Sequence, residues 1–352
     1  MKKSIFLVVC IIVLCFSVIL FYQRFFLKQD RNGFERKIIK TTYKVVNSIK
    51  LPSSSCYFAG EPNEELYLKD LQTANVIFIA DLTLSNIKKR AYNVPDEISV
   101  RKRKVNIGIV GTSVFISGNL AGNLNIYSLA NPTGTSYKNP KIWFDQTTLA
   151  SNTTVIGRGL QTIKGNLQIQ VINFNYKKGR VKSTYNLSAE AENVFSVDGQ
   201  LQLDNMSKDL FYMFFYKGSF LCLDTNLNLK YEAKTIDTIT SSSLKTATLS
   251  AKIKNKTETK TTQSTPRNVI NRSYTLYQNH LYLISSLKAD NESLSKFRDN
   301  QIIDVYTCES GKYLYSFYVP KFKRTKLREL KIHDKSLFAI YDDFLVGYKL
   351  VQ

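Results

Sequence analysis

Residues 336–350 read SLFAIYDDFLVGYKL: an apolar run, two aspartates and a second apolar run. Runs this short, rich in β-branched and aromatic residues and parted by a tight polar turn, read as a β-hairpin. Leu330-Lys331-Ile332, just upstream, offers a third strand. The same grammar recurs on working back through the chain. Ser113–Ser117 is followed by Leu124–Tyr127, with the turn run SGNLAGN between them. Asp209–Phe215 (DLFYMFF) precedes Phe220–Leu223 and a turn at Asp224-Thr225-Asn226. His280–Ile284 (HLYLI) precedes Ile302–Tyr306, a turn at Glu309-Ser310-Gly311-Lys312 and a returning strand over Tyr313–Tyr318. Val76–Ile79 leads to a turn near Ser85-Asn86, and Leu167, Ile169, Val171 and Ile172 precede a hairpin turn at Lys177-Lys178-Gly179-Arg180. No stretch after residue 45 shows a helical period.

Val114, Leu210, Leu281 and Leu337 stand at equivalent points of this pattern. Their spacing suits units of about 40 to 55 residues with one intervening copy and one long insertion, and four-stranded propeller blades have about this period. The last unit supplies only three strands. Tyr43–Leu51 (YKVVNSIKL) is a spare strand ahead of the first full unit. Pairing it with the last blade closes the ring and leaves no open edge there. The expectation is therefore an all-β propeller of about six four-stranded blades over residues 43–352; a two-sheet sandwich is the competing arrangement. Residues 236–268 are crowded with Thr, Ser and Lys and read as an exposed insertion, such as a protruding hairpin.

The chain has 352 residues, 43% of them apolar, with 21 Tyr and 21 Phe, which suits pleated, half-buried surfaces. Its net charge of +21 favours anionic surroundings. Two basic clusters occur, Arg101–Lys104 and the group Lys321, Lys323, Arg324, Lys326, Arg328 and Lys331. Neither has the Arg or aromatic pattern of a nucleic-acid module, and no nucleic-acid partner is expected. Ser4–Tyr22 (SIFLVVCIIVLCFSVILFY) carries no charge and follows Met1-Lys2-Lys3. At 1.5 Å per residue it is about long enough to span a bilayer. The bulky residues after it disfavour a cleaved signal peptide, and those before Cys10 and Cys15 disfavour a lipoprotein signal. The expectation is a transmembrane signal anchor over 1–22, a juxtamembrane stalk over 23–42, and the propeller on the outer face of the membrane, the periplasm in a bacterium. Cys56, Cys222 and Cys308 are far apart and odd in number, form no CxxC pair, and read as buried free thiols.

Ile303-Asp304-Val305-Tyr306-Thr307-Cys308-Glu309-Ser310-Gly311-Lys312-Tyr313-Leu314-Tyr315-Ser316-Phe317 resembles a propeller repeat in which a strand ends at an acidic-x-Gly-Lys turn. Phe58-Ala59-Gly60-Glu61-Pro62-Asn63-Glu64-Glu65-Leu66-Tyr67-Leu68 resembles the opening of a blade. With the N-terminal anchor, these resemble poorly characterised bacterial six-bladed β-propeller proteins of the cell envelope. The resemblance implies a fold and a location rather than an activity. The single Trp, at position 143, and the 15 glycines set the chain apart from quinoprotein propellers, which carry a Trp in each blade.

Chemistry is sparse. His280 and His333 are the only histidines, which excludes a multi-histidine metal site; each reads as a turn or surface residue. No GxSxG elbow or Walker loop is present, and Gly157-Arg158-Gly159 is too short for a phosphate cradle. Glu64-Glu65 and Asp342-Asp343 are adjacent carboxylates, which on a strand point to opposite faces and read as turn or edge features. No catalytic, cofactor or metal residue is assigned, and no cofactor is expected. The expected role is a membrane-anchored, non-catalytic scaffold that binds an envelope protein or peptide. The alternative is a hydrolase or lyase acting on an anionic saccharide or related polymer in the propeller's central depression, using acidic side chains as proton donor and base.

Overall fold

The structure is a computed structural model that describes residues 13–18, 31–73, 75–95, 105–118, 123–138, 144–163, 166–188, 195–253, 256–266 and 268–351. Residues 13–18 are helical, and no helix among the described residues is long and apolar enough to cross a membrane. Most of the expected anchor over 1–22, like Arg101–Lys104 and Trp143, lies outside the described residues.

Six four-stranded antiparallel sheets follow one another along the chain. Blade 1 comprises β2 (Cys56–Phe58), β3 (Glu65–Asp70), β4 (Val76–Asp81) and β5 (Ile87–Ala91). Blade 2 comprises β6 (Val105–Val110), β7 (Ser113–Gly118), β8 (Asn123–Ser128) and β9 (Asn131–Lys138). Blade 3 comprises β10 (Phe144–Ser151), β11 (Thr154–Ile163), β12 (Asn166–Asn175) and β13 (Arg180–Asn186). Blade 4 comprises β14 (Gly199–Leu203), β15 (Leu210–Phe214), β16 (Ser219–Leu223) and β17 (Leu229–Lys234). Blade 5 comprises β20 (Asn271–Tyr277), β21 (His280–Ser285), β22 (Asn300–Thr307) and β23 (Tyr313–Pro320). Blade 6 takes β24 (Leu327–His333), β25 (Ser336–Tyr341) and β26 (Phe344–Val351) from the end of the chain and β1 (Thr42–Lys50) from its beginning. The six-bladed propeller is thus borne out, and so is its closure by the N-terminal strand. Val114, Leu210, Leu281 and Leu337 all lie at the start of their blades' second strands; Leu66 and Val155 are the copies in blades 1 and 3. Between blades 4 and 5, β18 (Thr246–Ile253) and β19 (Lys256–Gln263) pair only with each other, so the insertion is a hairpin. One short helix, Leu294–Asp299, corrects the expectation of no helix after residue 45; six residues are too few to display a 3.6-residue period.

The core is not one mass but six wedges, one between each pair of neighbouring blades. In blade 4, Leu210, Tyr212 and Phe214 pack with Ile156 and Val171 of blade 3. The alternate residues Phe211 and Met213 pack with Tyr274, Leu281 and Tyr306 of blade 5. Successive side chains of a strand point to opposite faces, and here both faces are buried, so the strand reads as one continuous apolar run. Full burial of side chains of this size contributes about 1.5–3 kcal/mol each.

Closure depends on β1 pairing antiparallel with β26, from Thr42 opposite Val351 to Lys50 opposite Phe344, with a bulge between Val45 and Asn47. The bulge leaves Val46 exposed and turns Asn47 towards blade 1, where its amide donates to the carbonyls of Thr83 (3.0 Å) and Leu84 (3.1 Å). Ahead of β1, residues 32–39, within the stretch expected as a stalk, form a strap seated on blade 5. The backbone N–H groups of Asn32 and Gly33 donate to the Asp290 carboxylate, and Ile39 N–H donates to the Ser316 carbonyl at 2.9 Å. Arg36 plunges between these contacts with its side chain fully buried, paired with Asp304 (2.7 Å) and Glu292 and donating to Ser285 Oγ (2.9 Å) and the Leu287 carbonyl (2.9 Å). Burial alone would lower its pKa; the two carboxylates more than compensate and hold the guanidinium charged.

Gly311, in the acidic-x-Gly-Lys turn, has φ +69°, and a Cβ there would lie 2.2 Å from Ala233 Cβ of blade 4. Gly179, in the turn before β13, has φ +63° but open space around it. Gly311→Ala is therefore expected to destabilise by roughly 2 kcal/mol or more and Gly179→Ala by about 1. Urea denaturation followed by circular dichroism checks this; equal losses would show that the blade contact at Gly311 carries no cost.

Candidate functional site

The innermost strands β2, β6, β10, β14, β20 and β24 begin at one face of the disc, called upper here, and end at the lower face, where each turns back into its blade. They enclose an axial cavity of about 520 Å³, lined by parts of all six. A shallower recess of about 280 Å³ opens from it at the lower face, walled by the first turns of blades 1, 2, 4 and 5.

Polar side chains around this axis tie each blade to the next. Between blades 1 and 2, Lys69 Nζ donates to Asn106 Oδ1 (3.2 Å) and the Ile107 carbonyl (3.1 Å), beside a backbone bond from Ile109 N–H to Ala59 O. Asn106 Nδ2 then donates to Thr147 Oγ1 of blade 3 at 2.7 Å. Gln146 bridges blades 3 and 4, donating to Gly199 O (2.7 Å) and accepting from Leu201 N–H (2.8 Å). Gln202 donates to Tyr274 O at 2.8 Å, and Tyr274 N–H donates to Gln200 Oε1, joining blades 4 and 5. Asp334 N–H donates to Tyr277 Oη at 2.7 Å between blades 5 and 6. Glu329 accepts from Phe58 N–H at 2.8 Å, and Lys331 pairs with Glu61, between blades 6 and 1. A side-chain amide can replace the ladder partner that an inner strand lacks, because it carries both donor and acceptor.

The channel also concentrates charge. Burial depresses the pKa of Lys69, with Lys331 adding to the effect and Glu329 opposing it. Burial raises that of Glu329 against its bond from Phe58 N–H and the nearby Lys69. Arg272 is likewise depressed by burial; its Nε donates to Ser286 Oγ at 2.9 Å, and among the described residues no carboxylate pairs with it. Arg328, over the Tyr57 ring at 4.8 Å, donates to the Ser54 and Cys56 carbonyls.

Of the basic residues weighed from sequence, Arg328 and Lys331 line this cavity, while the histidines, the adjacent carboxylates and the glycine-flanked Arg158 do not. His280 opens β21, its Nδ1 2.7 Å from the Gln278 carbonyl, and His333 closes β24, its Nε2 3.7 Å from Asp334 Oδ2; both belong to lower-face turns. Glu64-Glu65 lies at the lower face and Asp342-Asp343 in the β25–β26 turn at the upper one, so the fold parts the two pairs. Arg158, within the glycine-flanked triplet, is a blade clamp: it pairs with Asp145 and Asp198 and donates to the Tyr212 hydroxyl and Gly199 carbonyl, each at 3.1 Å. Among the described residues no group of three or more His, Cys, Asp or Glu side chains gathers as a metal site would. Cys56, Cys222 and Cys308 are buried free thiols, as expected. Burial pushes Cys222 up to about 11 and Cys308 up to about 12.

Two outcomes follow from these environments. Arg36→Met leaves two fully buried carboxylates unpaired and is expected to cost about 3–5 kcal/mol. Arg158→Met strands carboxylates that are 48% and 34% exposed and should cost clearly less, because water screens them. Comparative denaturation midpoints check the order. Iodoacetamide at pH 8.5 should leave Cys56, Cys222 and Cys308 unlabelled in the folded chain and label all three in urea, as peptide mass mapping would reveal.

No protein-family profile matches this chain, and no curated protein matches it. Its structure is similar to the crystal structure of a DUF4221 family member from Bacteroides vulgatus, with a TM-score of 0.53 at 11% identity, covering 90% of this chain and 99% of that one. It is also similar to a catalytically inactive virginiamycin B lyase from Staphylococcus aureus with quinupristin (TM-score 0.49, 13% identity, 88% of this chain and 100% of that one). The Neurospora crassa Pan2 WD40 domain is a further neighbour (TM-score 0.48, 8% identity, 90% of this chain and 98% of that one). The first of these likenesses supports the all-β, six-bladed propeller fold, and it is a likeness of fold alone.

Proposed function

We propose that this chain is a non-catalytic binding propeller, anchored in a membrane by its N-terminal apolar segment, that presents the lower rim of its channel to an envelope protein or peptide on the outer side. The observation that carries this reading is the use to which the channel's polar groups are put. The amides of Asn106, Gln146 and Gln202 and the charges of Lys69 and Glu329 are engaged in joining blades. Such groups hold a surface still rather than change protonation during a reaction. The lower rim is the complement: Met206 is 74% exposed there, beside Asn63, Asn205 and Tyr277 around the recess. An exposed apolar side chain at the edge of a polar recess on a rigid frame is suited to a partner's side chain rather than to a transition state.

A second reading, an enzyme for an anionic saccharide or related polymer, is favoured by one observation. Lys69 and Glu329, with pKa values displaced in opposite directions, line the same cavity as Arg272 and Arg328. Displaced acids and bases in a cleft mark functional sites as well as structural networks.

Cross-linking in cells with an affinity-tagged full-length chain separates the two. Recovery of one envelope protein or peptide, lost in Met206→Asp and kept in Arg272→Gln, is the expected outcome. Retention of an acidic saccharide that is turned over, with turnover lost in Glu329→Gln, would replace the binding reading by the enzymatic one.

A further inference from the structure

We infer that the upper rim over blades 5 and 6 is a docking surface for an anionic lipid bilayer, so that the propeller lies with this rim against the membrane and its lower rim turned away. This rests on the anchored reading above and adds an orientation and a lipid chemistry to it. Two observations converge. First, the strap leads the chain to this rim. Asn32 donates to the Lys288 carbonyl and its own carbonyl accepts from Thr238 Oγ1 at 2.6 Å, both partners belonging to upper-face connections. The apolar segment ends at Tyr22, so residues 23–31 are all that link it to the docked strap. Fully extended, such a link reaches about 30 Å. The buried Arg36 cluster stops the strap from paying out more chain.

Second, cations gather where the strap arrives. Lys321, Lys323, Arg324 and Lys326 occupy the connection from β23 to β24, and Lys296 and Arg298 lie on the adjacent short helix. The acidic groups nearby are partly spent: Asp290 and Glu292 hold the strap, and Asp343 lies 3.8 Å from Lys50. Glu35 of the strap, Asp237 beside Thr238, Asp299 and Asp342 are further carboxylates near this rim, fewer than the cations. Among the described residues, Lys296, Arg298, Arg324 and Lys326 have no carboxylate within ion-pair distance. Lys323 stands 3.8 Å above the Phe344 ring, and Leu294 is 41% exposed beside these cations.

A cluster of Lys and Arg held close to a bilayer is attracted to anionic headgroups, and each such residue is worth about fivefold in affinity.

The test uses the full-length chain in vesicles, with Cys10 and Cys15 replaced by Ser and one environment-sensitive probe at Ser295→Cys on the upper rim or Ser310→Cys on the lower. Carbonate extraction is run in parallel and reports the anchor alone. The expected result is a carbonate-resistant protein whose upper probe is quenched by headgroup-labelled lipid in phosphatidylglycerol vesicles. In phosphatidylcholine vesicles or 0.5 M salt that quenching should fall at least threefold, with the lower probe unquenched throughout. Arg324→Glu with Lys326→Glu should abolish the difference between the two lipids. A carbonate-resistant protein whose two probes respond alike overturns the docking surface and leaves the anchor standing. A protein removed by carbonate overturns the anchored reading, and the docking surface with it.

Discussion

Each sheet in this propeller has two apolar faces and can bury them only against its neighbours, so no blade is stable until the ring is complete. That single constraint orders everything else. It turns the core into six wedges, and it requires second and third strands that are apolar on both sides, as in Leu210–Phe214 and Ser219–Leu223. It also requires the two ends of the chain to meet. The pairing of β1 with β26 spans nearly the whole sequence, so the loop-closure entropy is charged at the end most distant from any local reward. Contacts made within blades are local; the contact that completes the ring is not.

The axial clamps answer the same constraint from the inside. Inner strands cannot form ladders with one another across the axis, yet their edges face a cavity. Gln146, Gln202 and Asn106 supply bonds that span the seams, while Arg36 and Arg158 perform the same office between strap or blade and their neighbours with charge. The result is a channel whose polarity is largely structural in origin. The two rims differ: the lower carries Met206, Tyr277 and tight turns, and the upper carries the cations of the β23–β24 connection.

How much of this was legible follows from burial. Strands with two buried faces announce themselves as apolar runs, and most of these were located from sequence, along with the spare N-terminal strand and the hairpin insertion; β11 was missed because Gly157-Arg158-Gly159 interrupts its apolar run. The outermost strands do not: Ile87–Ala91 (IKKRA) and Asn131–Lys138 (NPTGTSYK) are largely exposed, and only pairing to an inner neighbour makes them strands. At the inner end, Cys56–Phe58 is three residues long and falls below any periodicity test. The site was harder still. An amide that bridges two blades looks like any other Asn or Gln in a strand, since its partner is tens of residues away. Arg158 was visible only as the centre of a glycine-flanked triplet, and Arg36 only as one position within the expected stalk; burial and partners, not spacing, give them their roles.

The strap has a mechanical meaning. A chain tethered at its N-terminus passes any pull from the tether into the propeller through its first fixed point. Were β1 that point, the load would peel it from β26 one hydrogen bond at a time, the geometry in which a strand yields most easily. Among the described residues of the folded domain, Asn32, Gly33 and Arg36 are locked into blade 5 ahead of β1. A pull arriving from that side would be shared at once among charge-assisted bonds acting together, with the closing strand in the slack behind them.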